Sequence, residues 1–334
     1  MGKVRIAVIS SWFLHVRKFA SLAQSYDESE IAAVWDYDRK RGEAFARELG
    51  CPFEPDYDVL LADAEIDAFL IMAPVTMHEE LIVKAIKSKK HVFTEKPLSV
   101  SLEGAYAIQD AVKESRIHFV MSDPIVKPAM LQVRKMADEG LIGDITCLRV
   151  RAAGSANVSE PDEWALSHTA EEMGGGDFMD VGHHAVHSLE WFLGKPCGVT
   201  ALFARFSKKA REQEFEDNGA AIYRFNNGVI GIVETGSVSC GSSYELNLYG
   251  TKGCIQATRT HVRYCLEDGK WIDVPGEEFP EGLPYVLKYW ILGIIQGEQN
   301  TEYDVDCSVR CLEMIMAAYA SGGKEVPIVY REDI

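Results

Sequence analysis

Asp180 and His184 stand four residues apart, a spacing that puts a carboxylate and an imidazole on one face of a helix. Such a pair suits proton transfer, with the acid orienting the base or sharing a bound molecule with it. Lys96, in Glu95-Lys96-Pro97, follows a strand-like run, and a cation at a strand end can stabilise negative charge on a reacting oxygen. His183 and His187 flank His184, and His168 lies upstream. His184 and His187 at i, i+3, with Asp180 as an oxygen donor, would also suit a metal ion, while His183 points away around the helix.

The elements that must position these residues follow two grammars. Over the first third, strand-like runs (Val4–Ile9, Ile31–Asp36, Ile66–Ala73, His91–Thr94, Ile117–Met121) alternate with helical spacings (Val16–Gln24, Arg39–Leu49, Met77–Ser88, Leu102–Lys113). That alternation predicts a doubly wound parallel sheet with right-handed crossovers. After Ser122 a helix near Pro128–Glu139 and the Gly140–Gly143 turn lead into strand-like segments: Ile145–Ala153, Gly198–Phe206, Ala220–Asn226, Val229–Ser239 and Tyr244–Gly250. Asn226-Asn227-Gly228 is a hairpin signal, a glycine-rich helix start lies within Gly174–Gly194, and a last helix runs from Asp306 to Ser321. The expected class is α/β, with a parallel domain over residues 1–122 and an α+β domain, mainly antiparallel, over 123–334.

With 334 residues, 47% of them hydrophobic, the chain is long enough for two cores. Its net charge of -17, from 34 Lys and Arg against 51 Asp and Glu, argues against nucleic acid as a partner. Apolar stretches such as Ala68–Pro74 fall short of a membrane span, and no signal-peptide pattern opens the chain, so a cytoplasmic protein is expected. The eight cysteines include no CxxC pair and read as reduced, mostly buried thiols.

A parallel sheet of this kind commonly binds a dinucleotide over a G-x-G-x-x-G turn after its first strand. Here Ser10, Trp12 and His15 occupy the three glycine positions, so the fingerprint is absent. The helix start still offers N–H groups and a favourable dipole, and Ser10 and Ser11 add hydroxyl donors; Ser10, Ser11, Trp12 and Phe13 are the expected contacts. Asp36 ends the second strand, where the fold places an acid on the adenosine ribose; its charge repels a 2′-phosphate and favours NAD over NADP. Arg39, Lys40 and Arg41 soften that preference, and Asp36 could instead simply open the turn Asp36-Tyr37-Asp38.

An ordered set of motifs resembles the glucose–fructose oxidoreductase/inositol dehydrogenase/rhizopine-catabolism (Gfo/Idh/MocA) family. The set comprises Ile66–Pro74, His78, Val92–Ser99, Gly174–His184 and Trp191–Gly194. The resemblance implies a Rossmann domain, then a domain with a large open sheet that supports substrate binding and oligomerisation as a homodimer or homotetramer. It implies NAD(P)-linked oxidation or reduction of a carbinol carbon, usually in a sugar, inositol or related molecule. Lys96, Asp180 and His184 then match the catalytic residues: His184 accepts the proton, Lys96 polarises and relays, Asp180 orients, and Lys96 and His184 could exchange roles. Ala73, Pro74, His78 and Glu95 match the cofactor side. The resemblance calls for no metal.

Departures fall on the substrate wall. Asp123, within Ser122-Asp123-Pro124, replaces part of an asparagine–arginine run, and His187 stands where an aspartate is common. Asp123, Trp164 and His187 therefore join Lys96, Asp180 and His184 as expected substrate contacts. Trp164 could equally be a domain-interface aromatic. Two other functions compete: a glycosidase or epimerase-type enzyme that keeps NAD bound through a transient redox cycle, and a non-catalytic ligand-binding protein.

Overall fold

The aliphatic runs of the first third form strands β1 (Val4–Ile9), β2 (Ser29–Trp35), β3 (Ala68–Ile71), β4 (His91–Glu95) and β5 (Phe119–Ser122). In a computed structural model, which describes residues 2–123, 125–154, 169–238, 243–280, 285–298 and 303–333, every neighbouring pair of these strands is parallel. The sheet order is β2-β1-β3-β4-β5, and Phe53 adds an isolated parallel bridge to Val34 on β2. Ile6, Val8, Ile9, Phe69, Leu70 and Ile71 are fully buried, as expected where helices cover both faces of a parallel sheet. The covering helices are α1 (Val16–Ser25), α2 (Arg39–Leu49), α3 (Tyr57–Ala62), α4 (His78–Lys87) and α5 (Leu102–Glu114). Because β2 lies on one side of β1 and β3 on the other, the chain changes winding direction there. The carboxyl ends of β1 and β3 thus border a topological switch point, where such sheets bind ligands.

The chain divides into two units: Met1–Asp123 with Pro284–Val309, and Pro124–Leu283 with Arg310–Ile334. The return of a late segment to the first unit differs from a single division near Ser122. Contacts far apart in sequence explain it. Trp290 donates its indole N–H to the His118 carbonyl at 3.2 Å, and its ring lies 5.5 Å from that of Phe93. Tyr285 lies 6.1 Å from Phe19, and Lys288 pairs with Glu28.

The second unit is built on a nine-stranded sheet. Its central strand β6 (Ile145–Ala153) follows α6 (Pro128–Asp138), and α7 (Gly182–Leu193) precedes β7 (Gly198–Ala204). A short helix, α8 (Lys208–Glu212), precedes β8 (Asn218–Arg224) and β9 (Ile230–Gly236). Then come β10 (Tyr244–Gly250), β11 (Gly253–Ala257), β12 (Val262–Leu266) and β13 (Trp271–Val274). Helix α9 (Val286–Gln296) belongs to the first unit, α10 (Val305–Ser321) lies mostly in the second, and β14 (Val326–Pro327) ends the sheet. The order is β13-β12-β11-β10-β6-β9-β8-β7-β14, with β6–β9 parallel and the other pairs antiparallel. Gly228, at φ +87°, closes the β8–β9 hairpin and donates to the Phe225 carbonyl at 3.1 Å. Helix α7 packs on β6 and β9, while Ile222 and Ile230 stay about half exposed on the other face.

Among the described residues, no helix is long and apolar enough to cross a membrane. Seven described cysteines are free thiols. Cys307 and Cys311 are buried, whereas Cys51, Cys147, Cys197, Cys254 and Cys265 are only half-buried, so core packing accounts for fewer of them than expected.

Candidate functional site

The turn after β1 is held from within. Ser10 adopts a left-handed conformation, φ +69°, in the place a glycine would take. Its N–H donates to the Trp35 carbonyl at 2.6 Å, and the Phe13 N–H to the Met72 carbonyl at 3.1 Å. The Ser11 N–H donates to Asp36 Oδ2 at 2.7 Å, and the Trp12 N–H to Ser10 Oγ at 3.2 Å. Asp36 is 3% exposed. Its Oδ2 also accepts from the Ser11 and Ser10 hydroxyls, at 3.0 and 3.3 Å, and from Arg41 Nε at 2.9 Å. Its Oδ1 accepts from the Asp38 N–H at 2.9 Å and from Arg41 Nη2 at 2.6 Å. Asp36 therefore does open the turn toward Asp38, and it also ties β1 to β2. The Arg41 guanidinium, 4.6 Å over the Tyr37 ring, is held further toward its charged form by this carboxylate.

Helix α1 begins without a side-chain cap and with no acid in its first turn. Helix α4 also lacks a side-chain cap but has Glu79 and Glu80 in its first turn, whereas α2, α3 and α5 are capped by Asp38, Asp56 and Ser101. An uncapped helix start at the switch point suits the pyrophosphate of a dinucleotide. The uncapped start of α1 at this switch point thus fits a dinucleotide cofactor.

At the end of β4, Glu95 and Lys96 are 3% and 4% exposed, and the Lys96–Pro97 peptide bond is cis. Glu95 pairs in register with Ser122 on β5, so Lys96 and Asp123 leave adjacent strand ends at the same level. Asp123 is fully buried. His78 braces this corner. Its Nδ1 lies 3.1 and 3.2 Å from the Pro97 and Leu98 carbonyl oxygens, and its Nε2 lies 3.2 Å from that of Ala73. Burial holds the His78 pKa down to about 4, against the pull of those carbonyls. The sequence reading missed His15, whose Nδ1 lies 2.9 Å from Glu95 Oε1. Its only signal was its place at the third glycine position.

In the second unit, α7 begins at Gly182, so His184 lies in its first turn while Asp180 sits in the preceding turn. The Asp180 N–H donates to the Gly176 carbonyl at 3.0 Å and the Gly182 N–H to the Asp177 carbonyl at 2.8 Å, so the turn is helix-like. Asp180 and His184 are half-buried, whereas His183 and His187 are at most 2% exposed, with rings 6.4 Å apart. His183 and His184 thus differ sharply in exposure, and His187 packs inside.

Glu216 and Tyr319, also missed, hold the approach to Asp180. The Phe178 N–H donates to Glu216 Oε1 at 2.9 Å, the Met179 N–H to Tyr319 Oη at 3.1 Å, and the Tyr319 hydroxyl to Glu216 Oε1 at 2.6 Å. Burial pushes the pKa of Asp177 up to about 7, helped by the nearby charges of Asp180 and Glu216. Trp164 and His168 lie outside the described residues. Among the described residues, no group of three or more His, Cys, Asp or Glu side chains could hold a metal ion.

Comparison with known proteins settles the family. Residues 4–122 match the family model described as "Oxidoreductase family, NAD-binding Rossmann fold", and residues 130–256 match "GFO/IDH/MocA C-terminal domain". The chain belongs to the Gfo/Idh/MocA family. Its first unit carries that family's NAD-binding Rossmann domain, and the chain is an oxidoreductase by family. Scyllo-inositol 2-dehydrogenase (NAD(+)) of Bacillus subtilis (strain 168) is 26% identical over 98% of this chain and 96% of its own length. 2,7-Anhydro-N-acetylneuraminate hydratase of Escherichia coli (strain K12) is 29% identical, over 72% of this chain and 63% of its own length. Levoglucosan dehydrogenase in complex with NADH and L-sorbose shares the fold, with a TM-score of 0.82 at 20% identity over 98% of this chain and 99% of that one. An oxidoreductase of Thermotoga maritima likewise gives 0.82 at 21% identity, covering 98% of both chains.

Proposed function

We propose that this member of the Gfo/Idh/MocA family is an NAD-dependent dehydrogenase acting on a CH–OH group of a sugar, inositol or related polyol or glycoside. The observation that carries the reading is the burial of Lys96 and Glu95 at the carboxyl end of β4, in a Rossmann unit whose α1 start is left uncapped. A buried ammonium at that end can donate to an oxygen that gains negative charge. The bound nicotinamide supplies the hydride acceptor. The remaining work falls to the chain's own side chains. Lys96 polarises the substrate oxygen, His184 takes the hydroxyl proton, and Asp180 orients the imidazole. Asp123, Trp164 and His187 belong to the substrate wall in this reading.

The exposed apolar positions of the nine-stranded sheet support assembly as a homodimer or homotetramer. Leu202, Ile222 and Ile230, at 73%, 49% and 45% exposed, share one face of the sheet, and an exposed apolar patch of this kind suits a protein contact. Light scattering on the purified chain tests this.

A screen of inositols, hexoses and glycosides with NAD and with NADP, following absorbance of reduced nicotinamide, tests the activity. Steady reduction with one polyhydroxylated substrate class is expected. The similarity to a hydratase keeps one other outcome in view: conversion of substrate without net reduction would mean that NAD stays bound through a transient redox cycle. If NAD does not shift thermal stability at all, the chain is a ligand-binding protein and the reading fails.

A further inference from the structure

In a glycine-rich dinucleotide turn the backbone N–H groups face the pyrophosphate. Here the N–H groups of residues 10 to 13 are all spent on internal acceptors: the Trp35 carbonyl, Asp36 Oδ2, Ser10 Oγ and the Met72 carbonyl. A different donor stands at the mouth of the turn. His15, the N-cap of α1, holds the third glycine position, and its side chain is 43% exposed. Its ring is seated edge-on against Phe13 and Phe19, at 5.2 and 6.3 Å between centroids. With Nδ1 2.9 Å from Glu95 Oε1, Nε2 occupies the far side of the ring.

We propose that His15 binds the diphosphate of the cofactor through Nε2–H, replacing the amide donors that this turn has turned inward. The inference rests on the reading of the first unit as an NAD site. Between the Glu95 carboxylate and a diphosphate, each ring nitrogen then faces an anion as a hydrogen-bond acceptor. On α1, Arg17 pairs with Glu48 and Lys18 lies over the Tyr285 ring. Glu95 becomes a positioning residue that links diphosphate binding to the backbone carrying Lys96.

Titration calorimetry of the full chain with NAD, ADP-ribose and adenosine tests this. His15→Ala should bind NAD and ADP-ribose about tenfold more weakly, with adenosine binding unchanged. His15→Gln, which keeps a neutral donor, should fall between the native chain and His15→Ala; thermal unfolding of each variant verifies its fold. Native-like affinity for ADP-ribose in His15→Ala, or an equal loss for adenosine, overturns the inference. A native chain that binds neither NAD nor ADP-ribose overturns the NAD reading beneath it, which is a different result.

Discussion

Arg41 grips both oxygens of Asp36, with Nη2 2.6 Å from Oδ1 and Nε 2.9 Å from Oδ2. The acid expected to read the adenosine ribose is thus partly neutralised before any cofactor arrives. Discrimination against a 2′-phosphate should accordingly be modest in the native chain. Arg41→Ala leaves the Asp36 charge uncompensated and should widen the preference for NAD. Dissociation constants for NAD and NADP measure this, and a preference for NADP above about tenfold in the native chain contradicts the role given to Asp36.

His78 touches three carbonyl oxygens, those of Ala73, Pro97 and Leu98. His78→Leu leaves those buried groups with fewer donors, which should cost about 1–3 kcal/mol of stability in urea unfolding. Because Pro97 adjoins Lys96, kcat should fall more than NAD affinity. A variant with native stability and native kcat would show that the brace does nothing.

Tyr319 supplies an acceptor for the Met179 N–H and a donor for Glu216. Tyr319→Phe removes both at once and should destabilise by about 1–3 kcal/mol. Glu216→Gln, which keeps an acceptor for Phe178, should be milder than Glu216→Ala. The order of the three unfolding midpoints is the test, and equal midpoints for the two Glu216 variants would contradict it.

Asp177 carries the pH dependence of this region. Its ordinary value is 3.8 and the folded value is pushed up to about 7 by burial. Between those values the native state keeps a proton that the unfolded chain has lost, so stability falls as pH rises, by at most about 1.4 kcal/mol per pH unit. His78 and His91, held down to about 4, tilt the native curve the other way between about 4 and 6.5. The difference between native chain and Asp177→Asn isolates the aspartate. Native stability minus variant stability should decline from about pH 5 to about pH 7.5, and a constant difference would contradict the assignment.

Much of the fold is legible because apolar periodicity is local. Val4–Ile9, Arg39–Leu49, Ile145–Ala153 and Tyr244–Gly250 follow from it residue for residue. The α9 segment was not legible. Its partners Phe19, Phe93 and His118 lie more than 150 residues away, and nothing in Val286–Gln296 names them. The i, i+4 spacing of Asp180 and His184 suggested one helix, but the glycines at 174 to 176 and the internal turn bonds delay α7 until Gly182. Glu216 and Tyr319 left no trace in the sequence, since a carboxylate and a phenol 103 residues apart become a capping pair only when the segment before β8 meets α10.

The central claim is that Lys96 serves the chemical step at the carboxyl end of β4. Compare the native chain and Lys96→Ala with NAD and whichever substrate the screen yields, measuring NAD affinity and the rate of nicotinamide reduction together. The account predicts a variant that folds and binds NAD but reduces it about 10²–10⁴-fold more slowly. Native rates in Lys96→Ala would contradict it.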